Sequence, residues 1–374
     1  MESKCFFNVK FLGIASGRDN YIYNFSKKEL LNNIKRSIYY YNNLVETYND
    51  KKNYEFEDSE MNIKWTVNLK KYFIQNKNIE FNKQFIRTAL FRPFCKQYLY
   101  FDKQLIERPS LNTDFFPNDY DNKIILCSGN GANNEFSVIV SNNITDYNCL
   151  EAGAKAFPLY YYICNKNNLL DDGIERYSAI SKYIIDTASK KYNAAVSDED
   201  IFYYVYGILH SPIYRQKYSN DLKKNASSYS VIRKRFIFHF SNAGRELAEL
   251  HINYENQEKL KEVLVSGEKS NNFKVSKMSF AYKNIKDRIF FNNDIVISNI
   301  PEKAYQYIIN GKSAIEWIME RYQYKQDTDT LIINDPNKWD EDNPRYILDL
   351  LLSVITVSVK TVEIIERFLG HNFE

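Results

Sequence analysis

The chain has 374 residues, enough for two or three domains, and 44% of them are apolar, enough for a sizeable core. Its formal net charge of +3 is nearly balanced, so the average says little about partners and any selection by charge must come from its distribution. The 31 Tyr and 25 Phe follow the base composition that also enriches Asn, Lys and Ile, and their number alone does not show base stacking.

Residues 5–25 read as one or two short strands or an extended entry. Ser26-Lys-Lys-Glu29 is a capping box, and Leu30, Ile34, Ile38, Tyr41 and Val45 follow at helical spacing. Residues 46–60 read as a polar, acidic loop and Trp65–Phe73 as a second helix. Ile86–Phe101, broken by Pro93, reads as strand, turn, strand. Lys123–Ser128 and Glu135–Ser141 form a hairpin around Gly129-Asn130-Gly131, where glycine supplies positive φ angles. Ala156–Cys164 reads as a further aromatic strand.

From Asp171 the character turns helical. Ser197 caps a helix over Ile201–His210, with Asp198, Glu199 and Asp200 in the first turn where the helix dipole favours acids. Tyr214–Lys224 and Asn242–Tyr254 are helical, Phe273–Tyr282 and Arg288–Ser298 read as strands, and Pro301–Tyr322 as a helix. Tyr346–Leu369 is the longest helix, with Leu348, Leu352, Ile355, Val359 and Val362 on one stripe. The pattern predicts an α+β fold, β-rich first and helix-rich later. The expected units are a helical linker over 1–75, an α+β domain over 76–300 and a helical part over 301–374.

The charge is unevenly placed. Residues 1–150 carry a net +3, 151–214 a net −2, and 289–374 a net −6, whereas 215–288 hold sixteen Lys/Arg against eight acids. A basic stretch attracts phosphate backbones, and it is also an ordinary solvated face. The five cysteines are odd in number and widely spaced with no C-x-x-C, so neither a disulfide framework nor a zinc site is indicated, and a reducing, cytoplasmic setting is expected. Early charges argue against a signal peptide. The apolar run near Ile347–Val359 contains Asp349 and is too short to span a bilayer, so no membrane is expected as a partner.

Motifs of catalysis are missing. Gly311-Lys312-Ser313 resembles the end of a phosphate loop, but the glycine needed five residues earlier is Gln306. Gly129-Asn130-Gly131 lacks the third glycine of a dinucleotide fingerprint. There is no Asn/Asp-Pro-Pro-Tyr/Phe element of the kind that holds an extruded base, no helicase box and no nuclease carboxylate cluster. His210, His239, His251 and His371 are scattered, as structural or surface residues are. The residues alone give an α+β protein with a basic middle and no legible chemistry.

Six segments carry a resemblance. Gly13-Ile-Ala-Ser-Gly17-Arg18-Asp19-Asn20 is similar to a G-x-x-[ST]-G element followed by Arg-Asp. Phe91-Arg92-Pro93-Phe94-Cys-Lys96-Gln-Tyr98-Leu-Tyr100-Phe-Asp102, with Glu107-Arg108-Pro109, is similar to a Y/F-R-P-F stretch. Asp200 to Tyr218 contains Tyr-Val-Tyr-Gly-Ile-Leu-His210-Ser-Pro-Ile-Tyr-Arg215. Gly244 to Glu255, Asn310 to Arg321 and Asn343-Pro-Arg-Tyr346 follow in order. Together they resemble the C-terminal target-recognition part of Type ISP restriction–modification enzymes over nearly the whole chain. One departure stands out: at 225–235 the chain reads Asn225-Ala-Ser-Ser-Tyr-Ser-Val-Ile-Arg-Lys-Arg235 where the family has an L-P-R-I-P-F stretch.

The resemblance implies a module that reads double-stranded DNA in a restriction–modification system, with no catalytic residue or metal of its own. S-adenosylmethionine, ATP and Mg would belong to the methylase, helicase and nuclease parts, and the methylase is the expected protein partner. A diverged methylase fragment or a non-binding remnant is the alternative. Lys223, Lys224, Arg233, Lys234 and Arg235, clustered in the basic middle, are candidates for phosphate contact. Arg18, Asn20, Arg92, Lys96 and Arg108 lie in the matching segments, and arginine can bind guanine with two hydrogen bonds. Arg92 is also suited to a structural ion pair at the Pro93 turn, with Asp102 as candidate partner. The closing helix either completes the core or docks the methylase.

Overall fold

A computed structural model describes residues 5–368 except 110–111, 118–120, 129–133, 152, 165–172, 225–236 and 283–284. The fold is α+β, as the pattern predicts. Ser26 caps the Lys27–Thr47 helix by accepting the Glu29 N–H, and every residue of the predicted stripe is buried. Thr66 does the same for Val67–Ile74. The Pro93 segment is a hairpin in which Ile86–Arg92 pairs with Cys95–Tyr100 and Phe94 takes a left-handed φ of 57°. Tyr23–Asn24 extends this sheet on one edge and Ile144–Thr145, running parallel, on the other.

The predicted hairpin strands are Ile124–Cys127 and Val138–Ser141, antiparallel as expected; the turn residues 129–131 lie outside the described residues. This sheet continues through Lys155–Pro158 to Phe11–Leu12, and its strands are buried almost throughout. The expected single strand over 156–164 is two. At Leu159 the chain leaves the sheet and Tyr160–Cys164 pairs with Ile174–Ser178 in a separate ribbon. Ile174–Ser178 is therefore a strand where helix was expected; its middle residues Glu175, Arg176 and Tyr177 are exposed, so the strand lacks a hydrophobic signature.

Ser197 and Asp200 form a reciprocal capping box on the Asp198–Ile208 helix. That helix crosses the Ile237–Ile252 helix on glycine: a Cβ on Gly207 would lie 2.2 Å from the Phe240 carbonyl oxygen, and one on Gly244 1.9 Å from that of Tyr203. Only hydrogen at both positions lets the backbones approach so closely.

The C-terminal third departs from expectation at 301–322. A 3-10 turn (Glu302–Tyr305) leads to a hairpin of Ile308–Ile309 and Lys312–Ser313, and only Ala314–Arg321 is α-helical. Asn310 (φ 49°) and Gly311 (φ 77°) make the two-residue turn with both angles positive. The closing helix spans Tyr346–Glu366 and is buried on nearly every side, including Ser353, Thr356, Ser358 and Thr361. Its polar residues are satisfied by the core: Ser353 Oγ donates to the Tyr254 carbonyl (2.6 Å) and Thr356 Oγ1 to that of Glu258 (2.7 Å). This helix completes the core, so it is not a free docking face. Hydrogen bonds also cross the boundaries expected near 75 and 300, for example from Asn24 Nδ2 to the Ile333 carbonyl (2.9 Å). Among the described residues no helix is long and apolar enough to cross a membrane.

Candidate nucleic-acid interface

The cations chosen from sequence occupy different environments. Arg18 is 2% exposed. It donates to Thr66 Oγ1 (3.2 Å), and burial lowers its pKa to about 10, so it stays charged. Arg92 pairs with Asp146 (2.6 Å) and stacks its guanidinium 3.9 Å from the Phe91 ring centre. The structural ion pair expected at the Pro93 turn is thus present, but its acid is Asp146. Asp102 is buried and accepts from the Gln104 N–H instead (2.8 Å). Burial pushes the Asp146 carboxyl up to about 6 even against the charge of Arg92. Lys96 pairs with Glu255 (2.6 Å), whose other oxygen accepts from the Tyr346 hydroxyl (2.7 Å), tying the Pro93 hairpin to the closing helix.

Arg108 is different: its backbone exchanges hydrogen bonds with Ala15 while its side chain is exposed. Asn20 is exposed too, and its side chain bonds Asp327. Lys223 and Lys224 close the Ser219–Lys224 helix, and Arg233, Lys234 and Arg235 lie outside the described residues.

The structure brings Arg18 and Asn20 together on a cleft of about 560 Å³. Its acids Asp19, Asp58, Glu60, Asp146, Asp327 and Asp329 outnumber its cations Arg18 and Lys64. A second cleft of about 560 Å³ shares Asp19, Asn20 and Asp327 with it. An acid-rich wall repels a phosphate backbone but can accept hydrogen bonds from base amino groups.

A small antiparallel sheet meets the requirements of a phosphate-binding surface better. It orders Leu264–Ser266, Val296–Ser298, Ile289–Phe290 and Ser279–Phe280. Ile289 and Ile297 point inward and are fully buried, whereas Leu264, Ser266, Ser279 and Phe290 alternate outward and are exposed. The chain leading into and joining these strands carries Lys259, Lys261, Lys269, Lys274, Lys277 and Arg288, all exposed and none in an ion pair among the described residues. Sequence reading placed these residues in the basic middle but singled out the denser run at 223–235. The missed signal was lysine spacing around short strands, which a count of adjacent charges does not detect.

The family model described as the Type ISP C-terminal specificity domain matches residues 5–350. No curated protein sequence gives a significant match. Among solved structures, the chain is similar to the ATP-dependent Type ISP restriction-modification enzyme LlaBIII bound to DNA, at 36% identity and a TM-score of 0.88, covering 99% of this chain and 23% of that one. It is similar to a nuclease-deletion mutant of the Type ISP enzyme LlaGI in complex with a DNA substrate mimic, at 35% identity and a TM-score of 0.85, over 97% of this chain and 28% of that one. It also resembles DrdV in its DNA complex, at 26% identity and a TM-score of 0.83, over 96% and 36%. The chain thus spans between about a quarter and a third of each of these proteins. With six motifs in order, one fold throughout and a family model over most of its length, this chain belongs to the Type ISP C-terminal specificity domain family.

Proposed function

We propose that this chain reads double-stranded DNA for a Type ISP restriction–modification system and has no catalysis of its own. Methylation with S-adenosylmethionine, and the ATP- and Mg-dependent steps, belong to other parts, of which the methylase is the direct protein partner. The observation that carries this reading is the match of most of the chain to the specificity-domain family model, together with its similarity to Type ISP enzymes described as DNA complexes. The exposed cations of the small sheet supply phosphate contacts, which give affinity and register. Asn20, exposed on the acidic clefts, and Arg108, exposed where its backbone pairs with Ala15, are the sequence candidates for contacts with bases.

Fluorescence anisotropy with a labelled duplex at several salt concentrations tests the proposal. Binding weakens with salt, and the combined K274A/K277A/R288A variant flattens the slope of log K against log salt by about 0.9 per lost contact. An unchanged slope removes these residues from the interface. Calorimetric binding of S-adenosylmethionine to the chain alone would contradict the division of labour.

A further inference from the structure

A third cleft, of about 650 Å³, lies between residues 134–137, the corner at His210–Pro212, and the hairpin turn near Gly311. It is built from two motifs that the DNA-reading proposal does not use, the Leu-His210-Ser-Pro segment and the Asn310-Gly311 turn. The polar groups on its walls are not at rest. His210 Nδ1 lies 2.8 Å from the Tyr206 carbonyl oxygen, which can only accept, so Nδ1 carries the proton. Burial keeps the ring neutral, leaving Nε2 as a bare acceptor. That Nε2 is buried without a hydrogen-bond partner among the described residues, and so is the Tyr307 hydroxyl on the same cleft. Arg215 donates from Nε to the Leu209 carbonyl (2.6 Å) and lies over Phe136, 5.6 Å from the ring centre. Its two Nη groups have no ion pair or hydrogen bond among the described residues. Glu135 is exposed on the wall.

The cleft therefore offers a donor fork and an exposed carboxylate, backed by a buried hydroxyl and a buried neutral acceptor, with no net charge. An anion would satisfy Arg215 but face the Glu135 carboxylate and the His210 lone pair. An apolar ligand would leave every one of these groups unmet. We propose that the cleft is a subsite for a single guanine base. Guanine O6 and N7 accept from the Arg215 fork, and its N1–H and amino group donate to the two oxygens of the exposed Glu135 carboxylate. Adenine turns its amino group toward the same fork and fits worse. The identity of the base follows from the cleft alone; its source, a base displaced from a DNA strand and not a free nucleotide, rests on the DNA-reading proposal.

Calorimetry of the full chain with GMP, AMP and inorganic phosphate tests the subsite. GMP binds, AMP binds at least tenfold more weakly, and phosphate does not compete. E135Q, at an exposed position, weakens GMP at least tenfold, and R215K does so if it folds. Equal binding of AMP and GMP, displacement by phosphate, or no GMP binding overturns the subsite. A duplex with one bulged guanine separates the two proposals. Competition with GMP supports both. Duplex binding without GMP binding overturns the subsite alone. GMP binding with no duplex binding overturns the DNA-reading proposal and leaves the subsite standing.

Discussion

The crossing of the Asp198–Ile208 and Ile237–Ile252 helices yields a quantitative prediction for Gly244→Ala. The new methyl would sit 1.9 Å from the Tyr203 carbonyl oxygen and 3.0 Å from the Gly207 nitrogen. Ordinary contact begins near 3.4 Å, so one helix must retreat by about 1.5 Å. Both neighbours are backbone, and neither can rotate away as a side chain would. A retreat of that size opens the buried contacts of Tyr204, Phe240 and Leu247 on the same helices. Overpacking of this kind costs about 3 kcal/mol, and the helix-propensity gain of alanine over glycine offsets about 1. The net loss is roughly 2 kcal/mol, or about 0.7 M in urea midpoint for a slope near 3 kcal/mol/M. Urea unfolding followed by far-ultraviolet circular dichroism measures it. A G244A midpoint at or above that of the parent would refute the glycine-on-glycine contact.

Acid should destabilise the chain through two buried rings. Burial lowers the pKa of His251 to about 3 and that of His210 well below its ordinary range, whereas the unfolded chain protonates both from about 6.5 downward. Stability present above that value is lost as pH falls, by up to ~1.4 kcal/mol per pH unit per ring. Asp146 acts in the opposite sense, because its folded pKa is raised to about 6: the folded form takes up its proton first, and stability falls as pH rises through ~4 to 6. One histidine's slope is cancelled in that window, leaving a net loss of ~1.4 kcal/mol per unit between pH 6 and 4. Urea midpoints at four pH values read it, and a flat profile would exclude neutral buried rings. Asp146→Ala, which strands Arg92, is expected to cost about 3–5 kcal/mol in the same assay, and a loss under 1 would mean that water already serves Arg92. Ser197→Ala removes a capping box and should cost about 1 kcal/mol, with no change in DNA affinity.

Local grammar made much of the fold legible. The Ser26 and Ser197 caps, the Pro93 hairpin and the stripe of the Lys27–Thr47 helix depend on neighbours within a few residues, and these were readable. The failures share a different cause. Pro301–Tyr322 has helical spacing, but Asn310-Gly311 takes two positive φ angles and turns part of it into a hairpin. Leu264–Ser266, which pairs with Val296–Ser298 inside the expected Arg288–Ser298 strand region, was not foreseen, because its partner is thirty residues away and a strand of three is too short for alternation to register. The closing helix displayed a stripe, yet its Ser and Thr residues are buried as well, because carbonyls of Tyr254 and Glu258 receive two of them. At the site, the partners of Arg92 and Lys96 lie 54 and 159 residues away, which no reading of neighbours could supply.

The most direct test of the account is selection from a pool of random-sequence duplexes by the chain, with sequencing of the bound fraction. A specificity domain returns one defined site, bound at least ~10³-fold more tightly than unrelated duplex. A bound fraction as random as the starting pool, from a folded chain, would contradict the reading of this protein as the part that chooses the DNA sequence.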